Sequence, residues 1–402
     1  MTRTLNTFLT IAVATLYSFT PVANAQHTPS YGRGVYTVLN DDMPAGETGH
    51  HNSGSIFVNG VYKTKFNTGS YGMGGGYLGL HDVDIDVVDN QNVCVFLADA
   101  GGVSGSGPGD IYAYNVATLS GTRVLSALGY NANLYGLGLV HSGNVLLADW
   151  AGSGELETFT IGVGCSLTPT NSSATGLGLS GGSADGIAIA PNGEYVAATY
   201  DDGSYGVYPL DGATLGAPAQ YNSSCNNDVL FGVPIGIAIS PDSSTVYVDC
   251  LYGENGAVID AFTAANPSVS VTNGPLTAAG GLDLRGSVTM GLSPDGTVLY
   301  IVGTFSGVVE SANVSGTSVT PNSCDNLLLP GYNSQWIYPG TISVLGSGAG
   351  QGLAIPETAF GHTPDSYLEL LTIDANHCLT AVQQGTDKNS KHALSGASYL
   401  RQ

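Results

Sequence analysis

An all-β fold built from repeated antiparallel sheets is predicted for this chain by three observations. Five segments share one grammar, a small-apolar-small-apolar run, a polar turn and a β-rich run: Asp84–Val87 to Asp99, Gly136–Leu139 to Asp149, Gly186–Ile189 to Thr199, Gly236–Ile239 to Asp249, and Thr289–Leu292 to Val302. Their turn positions, Asp89, His141, Pro191, Pro241 and Pro294, are separated by 52, 50, 50 and 53 residues, a period in the range of propeller repeats. Outside the first 25 residues no stretch has helical periodicity, whereas short alternating runs broken by Gly, Asn, Asp and Pro are those of antiparallel hairpins. Four strands every ~50 residues make one blade, and the ~377 residues that follow a leader divide into about seven. The fold expected is therefore a β-propeller of seven four-stranded blades, with six or eight left open.

Along the chain, Met1–Ala25 places Arg3, an apolar stretch from Phe8 to Phe19 and then Ala23-Asn24-Ala25 in the order of a cleavable export signal. The mature protein, 26–402, reads as one propeller domain, because no linker rich in Pro or charge divides it. Tyr36–Phe66 supplies a first blade, and a divergent stretch around Gly352–Val382 supplies a last one. Between them each repeat carries further strand signals, such as Asp110–Asn115, Glu155–Phe159 and Ser204–Tyr208. A ring of sheets avoids open edges only if its ends are joined, so a C-terminal strand is expected to pair with Val35–Leu39. The cysteines Cys94, Cys165, Cys225, Cys250, Cys324 and Cys378 would lie in an exported protein where disulfides persist. Their pairing is not readable, no CxxC or Cys/His cluster has zinc spacing, and Cys94 suits a buried thiol as well as a bridge.

Charge narrows the partners. Nine Lys and Arg against 31 Asp and Glu give a net charge of −22, and between Asn67 and Asp387 the only basic residues are Arg123 and Arg285. A row of phosphates cannot be neutralised by such a surface, which excludes nucleic acid and anionic membrane as partners. No run outside the leader reaches the ~18 apolar residues of a membrane-spanning helix, so the expected product is a secreted or periplasmic protein with no integral span.

Ser240-Pro241-Asp242 to Val246-Tyr247-Val248, and Ser293-Pro294-Asp295-Gly296-Thr297-Val298-Leu299-Tyr300-Ile301-Val302, resemble the SPDG-x-x-LYV blades of YVTN-type and lactonase-like seven-bladed propellers. Val35–Asp41, Gly54–Phe57 and the glycine-rich Gly72–Gly76 are similar to the opening of that group, and the resemblance covers roughly residues 31–310. It is specific for fold and weak for activity, since glycines, turn Asp and apolar pairs are what any blade needs. The calcium-dependent gluconolactonase-like propellers would imply acidic and amide ligands at the channel mouth, one in a PDG-type strand start. Ala184-Asp185-Gly186 is similar to that start, but the equivalent Tyr135, Ile235 and Val288 are not oxygen ligands. The muconate-cyclising and phosphogluconolactone-hydrolysing propellers would imply basic residues for anionic substrates, which this chain lacks.

Among candidate residues, Gly178-Leu179-Ser180-Gly181-Gly182 matches G-x-S-x-G without the strand and helix that a nucleophile elbow needs, and reads as an interblade loop. Asp99, Asp149 and Asp249 end second strands, where they are expected to accept backbone N–H bonds in the turns that follow. His50 and His51 read as a solvated loop, and His141 as a surface turn residue. The 22 Tyr, with Trp150 and Trp336, could stack on sugars or aromatic ligands. The repeat breaks its own rule in one place: where other inner strands carry Gly or Ala, the first clear repeat carries Asp84 and Asp86, preceded by His81 and Asp82. Alternate carboxylates on one strand repel, and would raise one another's pKa or recruit a cation such as calcium. Asp82, Asp84, Asp86, Asp185 and His81 are therefore the expected ligand-binding set, with Asp84 and Asp86 as metal candidates. With no complete catalytic set in view, the favoured function is binding of a neutral or cationic small molecule or a protein partner. Hydrolysis of a neutral sugar lactone, or a structural role in the cell envelope, is the alternative.

Overall fold

The computed structural model describes residues 35–41, 51–58, 61–72, 83–88, 92–104, 106–132, 136–174, 178–179, 182, 184–227, 233–251, 256–276, 284–303, 306–324, 326–329, 337–339, 342–345, 351–359, 366–386 and 394–401. Among them the strands form seven antiparallel sheets, numbered around the ring. Sheet 1 holds β1 (Val35–Asp41), β2 (Ser53–Val58), β3 (Val61–Asn67) and the last strand, β31 (Leu394–Arg401). Sheet 2 holds β4 (Val83–Val88), β5 (Asn92–Asp99), β6 (Asp110–Asn115) and β7 (Ser120–Val124). Sheet 3 holds β8 (Leu137–Ser142), β9 (Val145–Trp150), β10 (Glu155–Gly162) and β11 (Ser166–Ala174). Sheet 4 holds β12 (Ala184–Ile189), β13 (Tyr195–Tyr200), β14 (Ser204–Asp211) and an outer strand in two pieces, β15 (Thr214–Leu215) and β16 (Ala219–Asn222). Sheet 5 holds β17 (Val233–Ile239), β18 (Thr245–Leu251), β19 (Ala257–Thr263) and β20 (Asn266–Leu276). Sheet 6 holds β21 (Ser287–Leu292), β22 (Val298–Gly303), β23 (Val308–Ser315) and the pieces β24 (Ser318–Pro321) and β25 (Leu327–Leu328). Sheet 7 holds the short inner pieces β26 (Ile337–Pro339) and β27 (Ser343–Leu345), then β28 (Gln351–Ala359), β29 (Ser366–Ile373) and β30 (Leu379–Thr386).

The inner strands β31, β4, β8, β12, β17, β21 and β27 each lie against the next, and β27 returns to β31, so the sheets form a closed propeller. Closure comes from the expected pairing of chain ends, with Val35 opposite Arg401 and Leu39 opposite Ala397. Small residues line the inner strands because neighbours converge there. A Cβ on Gly291 would lie 2.6 Å from Val344 Cγ2 of sheet 7, and one on Gly186 would strike the Ile235 carbonyl of sheet 5.

The inner hairpins are closed by local polar chemistry. Ser240 Oγ donates to Asp242 Oδ1 at 2.6 Å, the Ser244 N–H donates to the same carboxylate, and the N–H groups of Ser244 and Thr245 donate to Ser240 Oγ. Ser293, Asp295, Thr297 and Val298 repeat the pattern. The Ser-Pro-Asp text thus encodes a self-contained turn that satisfies its own donors.

Apolar residues fill the seams between sheets. Phe96, Ile111, Leu139, Leu146, Trp150 and Phe159 pack sheet 2 on sheet 3, and each such side chain contributes roughly 1.5–3 kcal/mol when buried. All six cysteines pair. Cys94–Cys165 joins sheet 2 to sheet 3, Cys225–Cys250 joins the segment after sheet 4 to sheet 5, and Cys324–Cys378 joins sheet 6 to sheet 7. Cys94 is thus a bridge and not a thiol, because its strand position faces the Cys165 turn of the next sheet.

Candidate functional site

The predicted residues fall in three groups. His81, Asp82 and His50 lie outside the described residues. Asp84 stands opposite Phe96 and Asp86 opposite Cys94 in the β4–β5 ladder, with their side chains also outside the described set. Asp185 is described, and sits on β12 where the β12–β13 register breaks between Ala184 and Gly186. Matching irregularities occur on β17 between Pro234 and Ile237 and on β21 between Ser287 and Thr289. The bulge re-aims one side chain. In sheets 5 and 6 that position is apolar, and Ile235 packs with Val288 and Leu251; in sheet 4 it is a carboxylate.

Antiparallel order brings the ends of second strands, the starts of third strands and the starts of inner strands to one face, the face of the connectors between sheets. Here the three strand-end aspartates do not make the expected turn bonds. Asp99 Oδ1 accepts from the Asn52 amide at 2.5 Å, Asp249 Oδ1 accepts from the Ser287 hydroxyl, and both Asp149 oxygens are buried without a hydrogen-bond partner among the described residues. All three are fully buried. Their carboxylates point into the seams, where among the described residues no turn amide reaches them. Asp99 is also out of phase with the other two. Leu97, two residues earlier, packs toward sheet 1, whereas Leu147 and Tyr247 pack toward the following sheet.

Burial is the largest influence on the proton affinities here. Burial, and secondarily the charge of Asp185, hold Asp149 well above the usual carboxylate range. Burial and then the charges of Asp201 and Asp202 raise Asp185 in the same way. Burial pushes Asp249 up to about 8 despite the Ser287 hydrogen bond, and Glu155, at the start of β10, up to about 7. Asp149 and Asp185 are both buried, at 0% and 3% exposure.

The glycine-rich connector wraps this group. A Cβ on Gly178, whose φ is +71°, would lie 2.6 Å from Asp202 Oδ2, and one on Gly182 would strike Asp201 Oδ1. The Leu179 N–H donates to Ser204 Oγ at 3.2 Å, and Ser204 Oγ donates to Asp202 Oδ1 at 2.5 Å. Gly178 and Gly182 of the G-x-S-x-G text thus lie in the connector between sheets 3 and 4, where they make room for two carboxylates; Ser180 lies outside the described residues. On the same sheet, the Tyr200 and Tyr208 hydroxyls share a hydrogen bond over Gly206, where any Cβ would lie 2.5 Å from Tyr200 Oη.

Sequence reasoning missed a second set of acids on the third strands. Asp110 accepts from Ser70 Oγ at 2.8 Å, and Glu157 from the Ala127 N–H at 3.1 Å. Asp260 accepts from Ser223 Oγ, the Ser224 N–H, Ser224 Oγ and Thr272 Oγ1. Glu310 and Glu369 stand at the matching position, opposite Ile301 and Ile355 as Glu157 is opposite Ala148. All five are fully buried. The first three clasp the connector that enters their own sheet. The signal was available as one acidic residue inside an otherwise apolar and small run, Asp260 within Ala257–Phe262 and Glu310 within Val308–Ala312.

Other expectations change. His141 lies inside β8, opposite Leu146 and half-buried, because the turn is formed by the Gly143-Asn144 pair after it. His51 packs its ring 4.8 Å from that of Tyr71. Among the described residues Tyr114, Tyr195, Tyr200, Tyr205, Tyr208, Tyr247 and Tyr300 are buried with Trp150, so they are not stacking platforms. Trp336 is outside the described residues. Tyr195, Tyr247 and Tyr300 instead donate to the carbonyls of Ser243, Gly316 and His377, turn residues of the following sheet. The Cys225 and Cys250 sulfurs and an Asp260 oxygen lie within 4.8 Å of one another, but the sulfurs are joined to each other and the carboxylate is saturated by donors. That chemistry does not fit a metal while the bridge is intact. Among the described residues no helix is long and apolar enough to cross a membrane.

No family model matches the chain, and no curated protein does. Solved structures do. A periplasmic gluconolactonase of Pseudomonas aeruginosa superposes with a TM-score of 0.59 at 13% identity, covering 91% of this chain and 99% of that one. A protein from Lactobacillus plantarum gives 0.59 at 14% identity over 91% and 99%. A candidate 6-phosphogluconolactonase from Bacteroides fragilis gives 0.57 at 14% identity over 91% and 98%. At these identities the likeness shows the architecture alone: this chain has a β-propeller fold.

Proposed function

We propose that the protein hydrolyses a lactone at the connector face, with Asp185 as general base and then general acid. The observation that carries this reading is the Asp149–Asp185 pair, two buried carboxyl groups at one seam that burial and neighbouring charge hold above the usual carboxylate range. The sequence favoured a binding scaffold because no acid/base set could be assembled; the raised carboxyl group of Asp185, next to that of Asp149, supports the hydrolase reading instead. In the step, ionised Asp185 takes a proton from water as the water oxygen bonds to the acyl carbon and the carbonyl π pair moves onto oxygen. Collapse of that tetrahedral species breaks the ring C–O bond, and Asp185 returns the proton to the departing alkoxide, leaving a hydroxy acid. Such proton transfer is worth about 10²–10⁴ in rate. The export-signal pattern of Met1–Ala25 and the three interblade disulfides support action outside the cytoplasm.

The test is ring opening of glucono-δ-lactone and a panel of neutral aliphatic lactones by the mature protein, corrected for spontaneous hydrolysis. Asp185→Asn is expected to lower kcat by about 100-fold or more with a melting temperature no lower than the parent's, whereas Asp211→Asn, exposed at the end of β14, leaves kcat intact. The wild-type rate should rise with pH as Asp185 loses its proton. No turnover on the panel, or full activity in Asp185→Asn, would return the protein to the binding reading.

A further inference from the structure

We infer that this site selects against phosphorylated and other anionic lactones and takes those whose far end is neutral or cationic, with Asp201 and Asp202 as the residues that determine it. The inference rests on the hydrolase reading and adds the charge class of the substrate. From residue 124 to 284 the chain has 14 Asp and Glu and not one Lys or Arg. That span includes every strand of sheets 3, 4 and 5, so no Lys or Arg from these sheets can meet a phosphate at the seam between sheets 3 and 4. Arg123 is committed elsewhere, donating to the carbonyls of Thr68 and Gly69 at 3.2 and 3.4 Å.

The carboxylates present are held in place. Asp202 Oδ1 accepts from the Ser204 N–H and hydroxyl, and the Gly178 and Gly182 backbone fits against Asp202 and Asp201 with no room for a side chain. Asp201 is exposed and Asp202 half-buried, at the rim above Asp185. Their charges reach Asp185 and raise it, so they act on the seam where the reacting group must sit. Behind Asp185, the two buried oxygens of Asp149 have no partner among the described residues. An anion entering here would meet like charge at the rim with no donor cation to offset it, a juxtaposition that turns wrong partners away. A hydroxyl or an ammonium finds acceptors instead.

The experiment compares kcat/KM for glucono-δ-lactone and its 6-phosphate, with calorimetric binding of the corresponding unhydrolysed lactams as a second arm. The neutral compound should be preferred at least tenfold at low ionic strength in both arms. Asp201→Asn/Asp202→Asn, which keeps the Oδ1 acceptor for Ser204, should shrink that preference at least threefold through the KM of the phosphate, as should about 0.5 M salt. Asp201→Asn alone, at the exposed position, should give part of the effect if the double variant does not fold. Equal handling of both compounds, preference for the phosphate, or binding of neither lactam overturns the inference. Charge-selective lactam binding without turnover would sustain it and sink the hydrolase reading, whereas turnover of both lactones at equal efficiency would do the reverse.

Discussion

Asp249 is a carboxylic acid kept neutral by its surroundings. Its folded pKa of about 8 lies above the unfolded value near 4, so the native state binds the extra proton between those limits. The resulting stability is fully present below about pH 4 and is lost as pH rises toward 8. About four pH units at about 1.4 kcal/mol each set a ceiling of about 5 kcal/mol at pH 8. Asp249→Asn mimics the neutral form and still accepts from Ser287. Its melting temperature is expected to exceed that of the parent at pH 8 and to match it at pH 4; a parallel pair of melting curves across that range would refute the assignment. The position of Asp249 was legible in the repeat, but its chemistry was not. Whether a strand-end carboxylate meets a turn amide or a buried seam depends on which neighbour the strand faces. Asp99 and Asp149 show that two residues at one repeat position can face opposite ways.

At the scale of the element, the turns were legible because their chemistry is local. Ser-Pro-Asp carries the donors and acceptors that its hairpin needs within a few residues, and Ser293 Oγ accepts from two backbone N–H groups at 3.1 and 2.9 Å. Ser293→Ala strands both amides and should cost about 1–2 kcal/mol in urea unfolding, with no effect on lactone turnover because this turn lies on the face away from the connectors. Ser318→Ala, at an exposed position of β24 in the same sheet, is the control, and an equal loss there would show that the cost is not the turn's. Less legible were the broken strands. The outer strands of sheets 4 and 6 and the inner strand of sheet 7 come in two pieces, and nothing in the period of apolar residues marks where a strand leaves its ladder and rejoins it.

For the whole molecule, the repeat and the tie between chain ends were legible, because spacing and the need to cover sheet edges constrain any ring. The disulfide pairing was not, since it depends on which sheets become neighbours. The three bridges occupy alternate seams, 2 to 3, 4 to 5 and 6 to 7. Hydrogen bonds cross the seams between them: Asn52 to Asp99 joins sheets 1 and 2, Thr158 to the Ala213 carbonyl joins sheets 3 and 4, and Asn273 to the Thr317 carbonyl joins sheets 5 and 6. Cys94 and Cys165 are 71 residues apart, and closing such a loop stabilises by about 4 kcal/mol on chain entropy. Cys94→Ala/Cys165→Ala should therefore lower the unfolding free energy read from urea titration by about that amount, and an unchanged value would show that the bridge adds nothing to the packing of sheets 2 and 3.

The pairing of β1 with β31 has a consequence for how the protein is made. A ribosome delivers β1 early in synthesis and its partner, residues 394–401, hundreds of residues later. Until then one edge of sheet 1 has unsatisfied backbone groups, a template for pairing with other chains. A chain cut short before that strand keeps the edge for good. Presence of that strand is thus checked by the same hydrogen bonds that shut the ring, and copies lacking it are left open to proteolysis and aggregation while copies that carry it are not.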